Sequence, residues 1–474
     1  MKKGPSSNSS PKTFNSVFPV PVPPTERITV REVLDSGVLV REKQNWKSLE
    51  RGSGKNLSSE RFSPIRHGTA KPKTEKRGEG MELTVYRQAS KTRPDGTIVY
   101  KGEDAQPYVD GQLIMAADGL GGAAAIRHSS IDSRLFDEEQ LPEALFTDVY
   151  DDYSDERLLN YVRKSFFELF AVKDCYTDNI NNIKKSGYFA SRIVTAIVLR
   201  EFLYNEKISA ESFFTALAKE ASDEKREKAV KRLGEHFTEK IATELRQIAK
   251  NANIVYESSY SGLALLGTTL TAILYRELDD EVEALILSAG DSRPYMWSEE
   301  EGLCQLVRDE ERPDGGMTNY IKANENAEFT INSRYMRFSS PCVIFAASDG
   351  CFDSGSFLSP LAFEVKLLEA AEASSSPEEM SEYLRDFFLE HGRHDDSSTI
   401  AMRFCGYVDF EAFRNSAKKR LEAIGESYTS QLAGLLEEDY IGETEKLRAN
   451  AELQQQLFDS YNENYERYMG GDEA

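Results

Sequence analysis

Among 474 residues there are only five cysteines, at positions 175, 304, 342, 351 and 405. Their number is odd and their spacing regular in no way, which points to reduced thiols in a cytoplasm rather than a disulfide framework. No apolar run reaches the ~18 residues of a membrane span. The start, Met1-Lys2-Lys3-Gly4-Pro5-Ser6, lacks the apolar stretch of a secretion signal. Basic charge is also in short supply, with 58 Lys+Arg against 80 Asp+Glu and a formal net charge of −22. A nucleic-acid protein needs a basic footprint, and the body of this chain has the opposite sign.

The charge is unevenly spread. Residues 1–80 carry 16 Lys+Arg against 8 Asp+Glu, whereas residues 406–474 carry 7 against 15. Ser, Pro, Lys and Gly dominate the first eighty residues, and Pro19-Val20-Pro21-Val22-Pro23-Pro24 is extended by composition, so 1–80 reads as a disordered basic arm. An apolar island at Ile28–Leu34 and Gly37–Val40 interrupts it. The island suits a docking motif or an added strand, and equally a patch without function.

Residues 135 to 255 read as a long helical stretch. Leu158, Leu159, Val162, Phe166, Leu169 and Phe170 share one helical face, with Ser154 as N-cap and Asp155-Glu156 in the first turn. A second helix presents Val230, Leu233, Phe237, Ile241, Leu245 and Ile248. Extra chain around Leu203 to Ala221 reads as added cover, with a lid as the other reading. Residues 406–474 form an acidic, helical tail. Phe410, Phe413, Ala417, Leu421 and Ile424 make one stripe, and Leu447, Leu453, Leu457, Tyr461, Tyr465 and Tyr468 a looser one. Packing back on the body is preferred to a docking role.

The segment with most chemical content is Asp118-Gly119-Leu120-Gly121-Gly122, which ends the apolar run Leu113-Ile114-Met115-Ala116-Ala117. That run predicts a buried strand. A carboxylate at its end, followed by glycines that permit a sharp turn and close approach, suits a metal held by one side chain and one main-chain oxygen. Taken alone, an Asp-Gly pair more often marks a hairpin turn. The pattern recurs, however. Val343–Ser348 runs into Asp349-Gly350, with Asp353 beyond, and His394-Asp395-Asp396-Ser397-Ser398 precedes the strand-like Thr399-Ile400-Ala401-Met402. Glu103-Asp104 stands 14 residues before Asp118, a spacing that fits two neighbouring strands of a hairpin. Acids gathered at strand ends repel one another unless a cation lies between them. All-oxygen ligation favours Mg²⁺ or Mn²⁺ over Zn²⁺.

In this order the motifs resemble the metal-dependent protein phosphatase family of the protein phosphatase 2C type, in its bacterial form. The matching segments are Gly102-Glu103-Asp104-Ala105, Ala117-Asp118-Gly119-Leu120-Gly121-Gly122, Gly267-Thr268-Thr269-Leu270-Thr271-Ala272, Gly290-Asp291-Ser292-Arg293, Ala347-Ser348-Asp349-Gly350 and the strand after Asp395-Asp396. They define a catalytic domain over 81–405. The resemblance implies an α+β fold, a four-layer α-β-β-α sandwich of two antiparallel sheets flanked by helices, with two Mn²⁺ or Mg²⁺ ions at one edge. Carried over, Asp118 bridges both ions and the Gly119 carbonyl binds one. Asp104 serves one ion, with Glu103 helping through water, and Asp349 and Asp396 serve the other, with Asp395 as the alternative to Asp396. Asp118, Asp349 and Asp104 thereby become the catalytic residues. The Gly290–Arg293 segment resembles a structural turn of the family, so Asp291 is not taken as a ligand.

The activity implied is hydrolysis of phosphoserine and phosphothreonine on proteins by a water that bridges two ions. No cysteine opens a Cys-x5-Arg loop, the other common device for this chemistry. Three positions depart from the family. Leu120 replaces a histidine of eukaryotic members, while His128 and His394 lie nearby and read as surface or capped residues. The arginine that grips substrate phosphate has no counterpart, and Lys101 is its substitute as a point charge, with Arg93 further off. No acidic residue occurs from Ser258 to Arg276, which speaks against a third metal. The alternative function is a catalytically weak or inactive phosphatase-like module that binds a regulatory partner. Partners implied are a phosphorylated protein and a docking protein met by the arm or the tail, without nucleic acid or membrane.

Overall fold

The structure is a computed structural model. It describes residues 80–88, 90–92, 98–100, 102–120, 125–127, 134, 156–167, 183–205, 208–251, 266–310, 316–323, 328–352, 359–391, 397–429, 456 and 459–469. The basic arm up to residue 79, its apolar island and the Ser154 cap lie outside them.

In chain order the strands begin with β1 (Glu82–Arg87), β2 (Ser90–Thr92), β3 (Ile98–Tyr100), β4 (Tyr108–Asp110), β5 (Leu113–Ala116) and β6 (Ala125–Arg127). A mainly helical region follows, with α1 (Glu156–Phe167), β7 (Ile183–Lys185), α2 (Ser186–Tyr204), α3 (Ala210–Ala218) and α4 (Asp223–Asn251). Strands return as β8 (Leu270–Glu277), β9 (Glu281–Ala289), β10 (Arg293–Ser298), β11 (Gly302–Gln305), β12 (Asn332–Ser339) and β13 (Cys342–Ala347). The chain continues through a helical turn at Asp349–Phe352, α5 (Pro360–Ala373), α6 (Pro377–His391), β14 (Ser398–Cys405) and α7 (Phe410–Ile424).

Two antiparallel five-stranded sheets result, ordered β1-β14-β13-β10-β11 and β12-β9-β8-β5-β4. Alternation along each strand sorts the side chains between layers. In β13, Cys342, Ile344 and Ala346 face the inside of the sandwich, where they meet Ile114, Ile273 and Ile286 of the other sheet. Val343, Phe345 and Ala347 face outward onto α5, α6 and α7. On the second sheet, Leu113, Met115, Leu270, Ala272 and Leu274 face outward onto α1, α2, α3 and α4. Three apolar layers between four layers of elements give the expected α-β-β-α sandwich.

The α4 stripe forms as its spacing predicts, with Val230, Leu233, Phe237, Ile241, Leu245 and Ile248 all buried. In α1, Leu158 and Val162 are buried while Leu159 is half-buried. α3 lies over the second sheet, with Phe214 buried and the Arg276 guanidinium of β8 5.4 Å from its ring centre. The extra chain around Leu203–Ala221 thus includes cover for that sheet.

One expectation needs correction. The stretch 135–255 is not helical throughout, because β7 pairs with β6, Ile126 opposite Lys184. Main-chain bonding to β6 decides this. Ile183-Lys184-Lys185 is too short to show an alternation that sequence reading could detect.

After β14, α7 starts at the Asp409 cap, whose carboxylate accepts from the Ala412 amide at 2.8 Å. Phe410, Phe413, Ala417 and Ile424 are buried against the first sheet, and Leu421 is partly so. Tyr461 and Tyr465 lie on the same face, while Tyr468 packs edge-on against Phe338 of β12. Tyr461 donates to Glu364 at 2.8 Å and Tyr465 to Gln305 at 2.7 Å.

Candidate active site

Every motif singled out above that falls on described residues lies at the same end of the strands. Asp118 follows β5, Gly267–Thr269 precedes β8, Gly290–Ser292 joins β9 to β10, Asp349 follows β13 and Ser397 precedes β14. Antiparallel pairing makes this so, since the end of each of these strands adjoins the beginning of its neighbour.

Asp118 is half-buried and its main chain is held on both sides. Its amide donates to the Thr269 hydroxyl at 3.0 Å, while its carbonyl accepts from the Thr269 amide at 2.8 Å and the Thr268 hydroxyl at 2.6 Å. Gly119 bridges to Thr268, which bridges on its other side to Ile321. A Cβ on Gly119 would lie 2.4 Å from the Gly187 carbonyl oxygen and 2.7 Å from that of Glu103. Both are main-chain atoms, so only glycine fits between the acidic loop and the start of α2.

The hairpin predicted from the Glu103-Asp104 to Asp118 spacing is present. β4 and β5 pair around Gly111, whose φ is +67°, and the Ala105 amide donates to the Ala117 carbonyl at 2.9 Å. That bond sets Asp104 beside Asp118. Asp104 is buried, and its Oδ2 accepts from the Thr399 hydroxyl at 2.8 Å. Its Oδ1 is buried with no hydrogen-bond donor. A buried carboxylate oxygen without a donor is costly unless a cation meets it.

Thr399 also joins the Asp349 segment. Its carbonyl accepts from the Ser348 amide at 3.0 Å, and its amide donates to the Ser348 hydroxyl at 3.0 Å. Behind this junction lies the buried Cys351, whose thiol is held well above its ordinary pKa by burial, then by the negative charge of Asp104 and, more weakly, of Asp349. Asp395, Asp396, Lys101, His128, His394 and Asp353 lie outside the described residues. The described residue that follows Asp396 in sequence is Ser397, whose hydroxyl oxygen would lie 3.2 Å from a Cβ built on Gly102.

These donors suit a hard divalent cation: they are all oxygen, anionic, and include the bare Asp104 Oδ1. Among the described residues, no three Asp, Glu, His or Cys side chains form a closed metal cage by themselves.

The Gly290-Asp291-Ser292-Arg293 segment supports this edge. Gly290 has φ +96°, and a Cβ there would press on Thr269 at 2.7 Å. The hydroxyls of Ser292 and Thr269 are 2.6 Å apart. Arg293 donates to both oxygens of Asp309, Nε at 2.9 Å to each and Nη2 at 2.5 Å to Oδ2. Its guanidinium also covers the Phe352 ring at 3.8 Å.

Sequence reading did not single out α2, although it touches two of the acidic segments. Ser191 and Arg192 both donate to the Glu103 carbonyl, at 2.6 and 3.3 Å. The available signal was a lone arginine in the apolar run Tyr188–Val198.

No protein-family model matches the chain, and no curated protein matches it by sequence. Solved structures similar to it include the Mycobacterium tuberculosis serine/threonine phosphatase PstP/Ppp, at 15% identity and TM-score 0.35, covering 69% of this chain and 100% of that one. The catalytic domain of PstP in complex with two manganese ions is 18% identical, with TM-score 0.35, over 68% of this chain and 99% of the other. Serine/threonine phosphatase Stp1 from Staphylococcus aureus is 14% identical, with TM-score 0.37, over 70% and 99%.

Proposed function

We propose that this chain is a protein serine/threonine phosphatase that hydrolyses phosphomonoesters with two Mn²⁺ or Mg²⁺ ions. In this reading the ions are held by Asp104, Asp118, the Gly119 carbonyl, Asp349 and Asp396, with Asp395 as the alternative to Asp396. The observation that carries the reading is the tying of three acidic segments to one another at one edge of the sandwich. Ala105 bonds to Ala117, and Thr399 bonds to both Asp104 and Ser348.

When bound, the ions supply Lewis acidity at the phosphoryl oxygens and an activated water for in-line attack on phosphorus. The chain's own residues do the rest. Thr399 fixes one oxygen of Asp104 and leaves the other for a cation. Thr268 and Thr269 fix the Asp118 main chain, so its carboxylate need not be ordered at each turnover. Glu103 orients water, and Lys101 meets the substrate phosphate as a point charge. The concentration of acids would repel a phosphate dianion, which makes the cations necessary for binding as well as for reaction. Cys351 is fully buried and is not placed to act as a nucleophile.

The substrate is a phosphorylated protein, and the arm 1–80 and the tail 406–474 serve in its selection. Among the described residues, four free, buried cysteines support a reducing, cytoplasmic setting. Among the described residues, no helix is long and apolar enough to cross a membrane. Hydrolysis of p-nitrophenyl phosphate tests the reading. Activity is expected with Mn²⁺ and is lost with EDTA. Full activity after exhaustive dialysis against EDTA contradicts it.

A further inference from the structure

The first turns of α2 touch two acidic segments at once. Gly187 lies against Gly119, as the 2.4 Å approach of a built Cβ shows. One turn later, Ser191 Oγ donates to the Glu103 carbonyl at 2.6 Å, and Arg192 Nη1 donates to the same oxygen at 3.3 Å. Residues 187, 188, 191 and 192 occupy one helical face by their spacing.

Arg192 is fully buried and its bonds reach several elements. Its Nε donates to the Ser165 carbonyl of α1 at 2.7 Å, and Nη1 donates to the Tyr188 carbonyl at 3.0 Å. Its Nη2 donates to the Tyr86 hydroxyl of β1 at 3.4 Å, and the guanidinium stands 3.8 Å from the Tyr188 ring centre. Tyr86 in turn donates to the Asp104 carbonyl at 3.3 Å. The peptide on either side of Asp104 is therefore held at the Glu103 carbonyl by α2 and at its own carbonyl by β1. With Oδ2 held by Thr399, the Asp104 side chain keeps one orientation, and only Oδ1 is left without a donor.

Burying a guanidinium costs several kcal/mol unless its donors are matched, so a less costly residue would serve if packing alone were required. The acceptors here converge on a main chain that carries a site carboxylate. We propose that Ser191 and Arg192 are positioning residues that hold Asp104 ready for a divalent cation, so that their loss weakens metal binding rather than the chemical step. This inference rests on the phosphatase reading above. Groups that orient metal ligands commonly change affinity by ~10–100-fold when removed.

The test is isothermal titration of Mn²⁺ into the full-length, metal-free protein, with kcat measured at saturating Mn²⁺ and melting followed in EDTA. Ser191→Ala removes one hydroxyl and no charge, and its Mn²⁺ dissociation constant should rise about 10-fold or more. Its kcat at saturating Mn²⁺ should stay within about 3-fold of wild type, and its melting temperature in EDTA within a few degrees, in keeping with one lost neutral hydrogen bond. Arg192→Lys keeps the charge without the fork, and should bind Mn²⁺ more weakly than wild type but more tightly than Arg192→Gln. Glu244→Gln loosens the Arg200–Glu244 pair between α2 and α4, away from Glu103, and should leave the Mn²⁺ constant unchanged. Wild-type affinity in Ser191→Ala, or an equal loss in Glu244→Gln, overturns the inference while the phosphatase reading stands. A wild-type protein that neither binds Mn²⁺ nor hydrolyses p-nitrophenyl phosphate overturns both.

Discussion

Single atoms set the terms at Asp104 and Gly119. Asp104 is buried with one oxygen matched by Thr399 and the other without a donor. Asparagine at 104, 118 or 349 keeps nearly the same shape and removes the charge. Each of these substitutions should lower turnover by more than about 100-fold, beyond what loss of an outer partner costs. Relief of like-charge repulsion should leave the metal-free protein at least as stable as wild type. Steady-state kinetics and melting in EDTA check both outcomes, and near wild-type turnover in any one variant would show that carboxylate to be misassigned. Gly119→Ala acts differently, because its methyl group meets main chain at 2.4–2.7 Å that has little freedom to yield. Turnover should fall together with Mn²⁺ affinity in that variant, read by kinetics and calorimetry.

Much of this was legible because an acid at the end of an apolar run is conspicuous. Asp118 and Asp349 each end such a run, and the spacing from Asp104 to Asp118 predicted the hairpin that is found. Ser191 and Arg192 were not legible as site neighbours. Their bonds go to main-chain oxygens some ninety residues earlier, and nothing in local sequence encodes which carbonyl a buried guanidinium will meet.

At the scale of elements, legibility followed exposure. α4 has one buried face and one solvent face, so its stripe of Val230, Phe237 and Ile241 showed in the spacing. α2 is buried from Gly187 to Phe202, and a helix covered on all sides has no stripe to read. The three-residue strands β6 and β7 carry too little pattern to separate them from helix.

Packing of α5 and the final residues gives an element-scale prediction. Glu364 is fully buried and accepts from Trp297 Nε1 at 3.0 Å, Arg420 Nε at 3.0 Å and the Tyr461 hydroxyl at 2.8 Å. It thereby joins α5, β10, α7 and the 459–465 helix. Glu364→Leu leaves the largely buried Arg420 without this partner and should cost about 3–5 kcal/mol in urea unfolding. A loss below about 1 kcal/mol would show that the contact is loose or replaced by water.

Across the whole molecule, buried phenols and thiols make stability depend on alkaline pH. Burial, then the charges of Glu301 and Glu364, push the Cys304 thiol from 9.0 up to about 12. Burial likewise moves Tyr161 from 10.0 up to about 12. Each group keeps its proton in the folded state while the unfolded chain loses it. Their contribution is therefore complete below pH 9 and lost as the pH climbs through about 12. Melting temperature should be level from pH 7.5 to 8.5 and then fall steadily. A flat profile to pH 11 would mean that water reaches these groups.

The charge distribution bears on the extensions. Attraction between the basic residues 1–80 and the acidic body is screened beyond ~8 Å at physiological salt. Removing 1–80 should accordingly leave hydrolysis of a small phosphate ester nearly unchanged, while changing the rate on a protein substrate. Loss of activity on p-nitrophenyl phosphate in a folded, metal-loaded variant lacking 1–80 would show that the arm takes part in the chemistry.

The central claim is that these strand-end acids hold cations that hydrolyse phosphoserine and phosphothreonine. It is tested most directly by phosphate release from a phosphothreonine peptide, using protein stripped with EDTA and then titrated with Mn²⁺. The account predicts no release before Mn²⁺ is added, saturable release afterwards, and none at any Mn²⁺ concentration from Asp118→Asn. Release from the stripped protein, or equal release from Asp118→Asn, would contradict it.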